Sequence, residues 1–79
     1  MEISYYAGAA DAAGTDRELL DTPDTTVHEL VSLLSARHDA LAGVLTSCSL
    51  LVDGKSVTDP QTRLPAGSRV DVLPPFAGG

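Results

Sequence analysis

At 79 residues, 43% hydrophobic and 20% charged, the chain has the length of one domain and the composition of a globular one. Five basic against 11 acidic residues give a net charge of −6, which repels phosphate backbones and argues against a nucleic-acid partner. Apolar runs as short as Leu50-Leu51-Val52 cannot span a membrane, and Met1-Glu2-Ile3 shows neither the basic segment nor the long apolar stretch of a signal peptide. Met1 to Ala7 alternates apolar and polar residues and reads as a strand with Ile3 and Tyr5 inward and Tyr6 outward. Gly8 to Gly14, alanine-rich around Asp11, reads as a loop or one helical turn that Gly14 stops. Thr15 to Asp21 is a weaker strand with Leu19 or Leu20 inward, and Thr22-Pro23-Asp24 is turn chemistry.

The clearest helix runs from about Val27 to His38. Thr26 and Glu29 match a capping box, in which the threonine hydroxyl takes a backbone donor and the glutamate reaches back. Val27, Leu30, Val31 and Leu34 fall on one stripe, and Arg37 and His38 place positive charge in the last turn. Leu41, Val44 and Leu45 continue the core through an irregular stretch around Gly43. Cys48 to Val52 is a third strand, Asp53-Gly54 a two-residue hairpin, and Lys55 to Thr58 a short return strand. Leu64 stands as a lone apolar anchor, Pro65-Ala66-Gly67 as a turn, and Ser68 to Leu73 as the last strand. Pro74-Pro75 then ends the ladder, since neither residue has an N–H. The order predicts an α+β fold, a mixed sheet with one main helix on one face. Residues 1–73 form the domain and 74–79 a tail.

No catalytic cluster and no metal site is expected. His28 and His38 are ten residues apart with no cysteine beside them, whereas a metal needs three or four converging ligands. Nucleotide-binding glycine motifs and a G-x-S-x-G elbow are absent, and the spread carboxylates read most simply as a solvated surface. The single cysteine, Cys48, cannot form an internal disulfide and reads as inert, so a reducing cytoplasm is the expected compartment. A domain this small has little room for a deep pocket, which points to a carrier or binding module.

The informative segment is Pro74-Pro75-Phe76-Ala77-Gly78-Gly79. Six extended residues beyond Leu73 reach about 20 Å, enough to enter a narrow pocket on another protein. Gly78 and Gly79 lack Cβ atoms, so pocket walls can close on the backbone, and Phe76 is placed to anchor in a partner. The terminal carboxylate of Gly79 becomes an acyl donor once ATP converts it to an acyl-adenylate. A sulfur nucleophile displacing AMP leaves a thiocarboxylate. A frayed tail that happens to end in glycine is the plain alternative. Tyr6 and Leu73, both outward, form an apolar patch at the root of the tail if their strands are neighbours.

These features together resemble the ubiquitin-like β-grasp sulfur carriers, and among them the small subunits of molybdopterin synthase. The resemblance spans the whole chain. It rests on Tyr5-Tyr6-Ala7, Ala12-Ala13-Gly14-Thr15, Thr26-Val27-His28-Glu29-Leu30, Val52-Asp53-Gly54 and Leu64-Pro65-Ala66-Gly67-Ser68-Arg69-Val70. Its specific part is Leu73-Pro74-Pro75-Phe76-Ala77-Gly78-Gly79. It implies a β-grasp fold with the first and last strands adjacent and parallel. A ubiquitin-activating-like adenylyltransferase would use ATP on Gly79, and a sulfur donor protein would convert it to a thiocarboxylate. No cofactor is bound by the carrier itself. The tail would insert into the large catalytic subunit of a heterotetramer, with Tyr6 and Leu73 docking, and sulfur would pass to the pterin precursor of the molybdenum cofactor. The same chemistry serving thiamine, cysteine or tRNA thiolation stays open, as does a protein modifier joined to lysines. The chain departs from the family at Gly8 to Ala13, small and acidic where members carry a basic segment, and at Phe76, where many carry a smaller aliphatic residue.

Overall fold

A computed structural model describes residues 1–75; Phe76, Ala77, Gly78 and Gly79 lie outside the described residues. In chain order the elements are β1 (Glu2–Tyr5), α1 (Gly8–Ala13), β2 (Arg17–Leu19), β3 (Thr25–Thr26), α2 (Val27–Arg37), α3 (Leu41–Leu45), β4 (Ser49–Val52), β5 (Lys55–Val57), β6 (Arg63–Leu64) and β7 (Arg69–Leu73). The main sheet has the order β2-β1-β7-β4-β5. Its central pair, β1 and β7, is parallel, with Ile3 opposite Val70 and Tyr5 opposite Val72. The pairs β1–β2, β4–β5 and β4–β7 are antiparallel. This is the β-grasp arrangement, α+β as expected.

Alternation along the strands decides which side is covered. Ile3, Tyr5, Leu50, Val70 and Val72 are buried in one cluster with Val27, Leu30 and Leu34 of α2. Full burial of each such aliphatic side chain contributes about 1.5–3 kcal/mol. The helix starts where Thr26 accepts the Glu29 N–H at 3.2 Å. The N–H groups of Val27 and His28, orphans in an isolated helix, donate to the carbonyls of Thr62 and Pro60. The capping box is only half as expected. The Glu29 carboxylate accepts from the Thr25 hydroxyl at 3.0 Å instead of reaching the Thr26 backbone.

Three segments differ from expectation. The stretch after His38 is not irregular: Leu41–Leu45 forms the short helix α3, which buries Leu41 and Leu45. Leu64 is not a lone anchor, since it is fully buried and pairs with Thr25 in a second, two-stranded sheet of β3 and β6. Of the leucine pair in the second strand, Leu20 is the inward one and Leu19 is 78% exposed. The hairpin is as expected: Asp53 (φ 49°) and Gly54 (φ 83°) both take the left-handed conformation that a two-residue turn requires. Gly14 (φ 74°) closes α1 with its N–H on the Ala10 carbonyl.

Candidate functional site

The parallel pairing of β1 and β7 brings Tyr6 and Leu73 together. The Tyr6 N–H donates to the Val72 carbonyl at 3.2 Å, one residue past the Tyr5–Val72 pair. Both side chains therefore share the sheet face that α2 leaves uncovered. Tyr6 is 43% exposed and Leu73 half-buried, and Pro74 and Pro75 follow directly. The polar residues of this face are Glu2, Ser4, Arg69 and Asp71, with Arg17 at its edge, and Ser49 and Ser56 continue it across β4 and β5. Arg17 and Arg69 approach the Glu2 carboxylate only to 3.6 and 3.9 Å, so both guanidinium groups stay largely in water. The face thus pairs a small apolar patch with loosely held charge. The remaining predicted tail residues, Phe76 to Gly79, fall outside the described residues.

The backbone turns sharply just after Tyr6. Ala7 has φ 49° and ψ −126°, a conformation that favours glycine. The Tyr6 carbonyl accepts the Ala9 N–H at 3.0 Å, which closes a tight turn and starts α1 at once. An open groove of about 570 Å³ runs beside this turn, lined by Ser4, Tyr6, Ala10, Asp16 and Arg17 among others.

One carboxylate does not belong to a solvated surface. Glu18 sits opposite Ile3 on the covered side of the sheet, with its side chain only 10% exposed. Its Oε1 accepts from the Tyr5 hydroxyl at 2.7 Å and from His38 Nε2 at 2.9 Å. Its Oε2 accepts from Arg37 Nε at 2.8 Å and from Arg37 Nη2. Burial pushes the carboxyl upward, but the hydrogen bonds from Tyr5, His38 and Arg37, with the arginine charge, outweigh it and hold the pKa at about 2. Burial, reinforced by the same hydrogen bond, drives the Tyr5 phenol above its ordinary range. Arg37 and His38 therefore do more than complement the helix dipole: they clamp the end of α2 to the edge strand β2. Parity with inward Leu20 was the available signal for Glu18.

Cys48 is half-buried, donates to the Val44 carbonyl at 3.2 Å, and is pushed up by burial, all marks of a poor nucleophile. Among the described residues no three His, Cys, Asp or Glu side chains converge as metal ligands would. No helix among them is long and apolar enough to cross a membrane.

The sequence matches the ThiS family over residues 3–79. The chain belongs to the ThiS family. ThiS-family proteins are small sulfur carriers with a ubiquitin-like fold and are not catalysts themselves. None of the curated proteins matches this chain significantly. Among solved structures, a candidate molybdopterin converting factor subunit 1 from Pyrococcus furiosus is 24% identical with a TM-score of 0.84, covering 95% of each chain. At that identity it speaks for the fold alone. SAMP1 from Haloferax volcanii is 26% identical with a TM-score of 0.83, covering 100% of this chain and 98% of its own. A second structure of that organism's small archaeal modifier protein 1 is 25% identical with a TM-score of 0.82, covering 96% and 97%.

Proposed function

We propose that this ThiS-family chain carries sulfur as a thiocarboxylate on Gly79 for molybdenum cofactor synthesis in the cytoplasm. The observation that carries this reading is the family match, which runs through Gly78 and Gly79. The Gly79 carboxylate attacks ATP on an adenylating enzyme and releases pyrophosphate. A sulfur donor then displaces AMP. The tail, narrowed by Gly78 and Ala77 and guided by Phe76, Pro75 and Pro74, enters the large catalytic subunit of molybdopterin synthase. Tyr6 and Leu73 form the docking patch at its root, and their adjacency on the uncovered face supports that role. The Leu73-Pro74-Pro75 exit favours the molybdopterin branch over carriers for thiamine, cysteine or tRNA thiolation.

A second reading is a protein modifier, joined through Gly79 to lysines of other proteins. Its support is the similarity, over the full length, to SAMP1. Intact mass spectrometry after incubation with ATP, an adenylating enzyme and a sulfide source separates the readings. Replacement of one oxygen by sulfur, mapped to Gly79 and lost when Gly79 is deleted, is the expected result. Transfer retained by a chain ending at Gly78 would overturn it. Isopeptide conjugates without any thiocarboxylate would favour the modifier.

A further inference from the structure

We propose that Lys55 is the acceptor through which the activated Gly79 of one copy of this chain is joined to a second copy. The inference rests on the reading of Gly79 as an ATP-activated acyl donor, which both functions above share.

Lys55 is the only lysine in the sequence. The other four basic residues are arginines, whose guanidinium groups stay protonated and do not act as acyl acceptors. The N-terminal ammonium is tied to the Leu20 carbonyl at 2.8 Å in a part-buried position between β1 and β2. Cys48 is half-buried, hydrogen-bonded and raised by burial. Lys55 alone combines an amine with open access. It is exposed, follows directly on the Asp53-Gly54 turn, and among the described residues it makes no ion pair. The turn itself is held firm: the Asp53 N–H donates to the Arg69 carbonyl at 2.8 Å, and the Arg69 N–H donates to Asp53 Oδ1 at 3.0 Å. The amine therefore stands on a fixed hairpin.

Register separates this amine from the donor end of its own chain. Val52 is opposite both Lys55 and Val70, so Lys55 lies level with Val70, two strands away. Leu73 is three residues further along β7, in the direction away from Lys55. Strand rise and strand spacing put about 14 Å between the two positions. The end of β7 at Leu73 thus points away from the Lys55 of its own chain, whereas a second copy presents Lys55 with no such constraint.

The step balances without further reagents. The unprotonated Lys55 amine attacks the carbonyl carbon of the Gly79 acyl-adenylate. A C–N bond forms, the bond to the phosphate oxygen breaks, AMP leaves with that electron pair, and one proton passes from nitrogen to solvent.

The test is incubation of the full chain with ATP, magnesium and a ThiS-type adenylating enzyme, read by ATP–pyrophosphate exchange, denaturing gel and tryptic mass spectrometry. The expected product is a dimer of twice the monomer mass less one water. Since trypsin cuts after Arg69, Lys55 should carry residues 70–79 as a branch. Lys55→Arg should abolish the dimer while ATP–pyrophosphate exchange is unchanged. A dimer in Lys55→Arg, a branch elsewhere, a cyclised monomer, or ATP–pyrophosphate exchange with no dimer would each overturn this inference while leaving Gly79 activation intact. Absence of ATP–pyrophosphate exchange, with an enzyme competent on another carrier, would overturn the activation reading and this inference with it.

Discussion

Glu18→Gln removes one charge and one acceptor from a site where two strands and a helix meet. Tyr5, His38 and Arg37 all donate to that carboxylate. A hydrogen bond to a charged, buried acceptor contributes about 1.5–3 kcal/mol, and an ion pair to a half-exposed arginine such as Arg37 about 0–1 kcal/mol. Glutamine keeps one carbonyl acceptor, so part of this is recovered and a net loss of about 2 kcal/mol is expected at pH 7. In a domain of this size that lowers Tm by about 10 °C. The loss must also depend on pH. The folded carboxyl titrates at about 2 against an ordinary value of 4.5. On acidification the unfolded chain takes up the proton first. The contribution of Glu18 is therefore complete above about pH 4.5 and disappears as pH falls toward 2. Urea unfolding of both proteins, followed by circular dichroism from pH 7 to pH 2.5, should show two stability curves that converge in acid. A gap below about 0.5 kcal/mol at pH 7, or an undiminished gap at pH 2.5, would refute the clamp.

Three further outcomes follow from the geometry. Ala7→Gly relieves the positive φ after Tyr6 and should raise stability by about 1 kcal/mol, seen as a Tm several degrees higher; a lower Tm would show that the alanine is unstrained. Leu64→Ala opens a cavity under the β3–β6 pair and should cost about 3 kcal/mol in urea unfolding, against well under 1 kcal/mol for the exposed Leu19→Ala. Leu73→Asp should weaken binding to the proposed partner, the large subunit of molybdopterin synthase, at least tenfold by calorimetry with little change in Tm; an unchanged dissociation constant would remove Leu73 from the proposed docking patch.

The elements that repeat were legible in the sequence. Alternation announced β1 and β7, the Val27-Leu30-Leu34 stripe and its threonine cap announced α2, and Asp53-Gly54 announced the hairpin. What escaped was too short to show a period. β3 and β6 hold two residues each, and α3 holds five around a glycine. Glu18 escaped for another reason: a lone carboxylate in a weak strand carries no sign that an arginine and a histidine 19 and 20 positions later will cover it. The Tyr6–Leu73 patch was visible as two outward apolar residues, but their adjacency depends on which strands pair.

The central pair of the sheet joins the two strands most distant in sequence, Glu2–Tyr5 and Arg69–Leu73. A β-hairpin can form as soon as its turn is made, but this pairing must close a loop of nearly the whole domain. High contact order of this kind slows folding, and it means that a nascent chain on the ribosome cannot complete its core until β7 has emerged. Tyr6 is synthesised early, yet it meets Leu73 only when that last strand docks. The proposed docking face thus comes into being together with the finished fold, so a partner that reads it would engage only chains whose folding is complete.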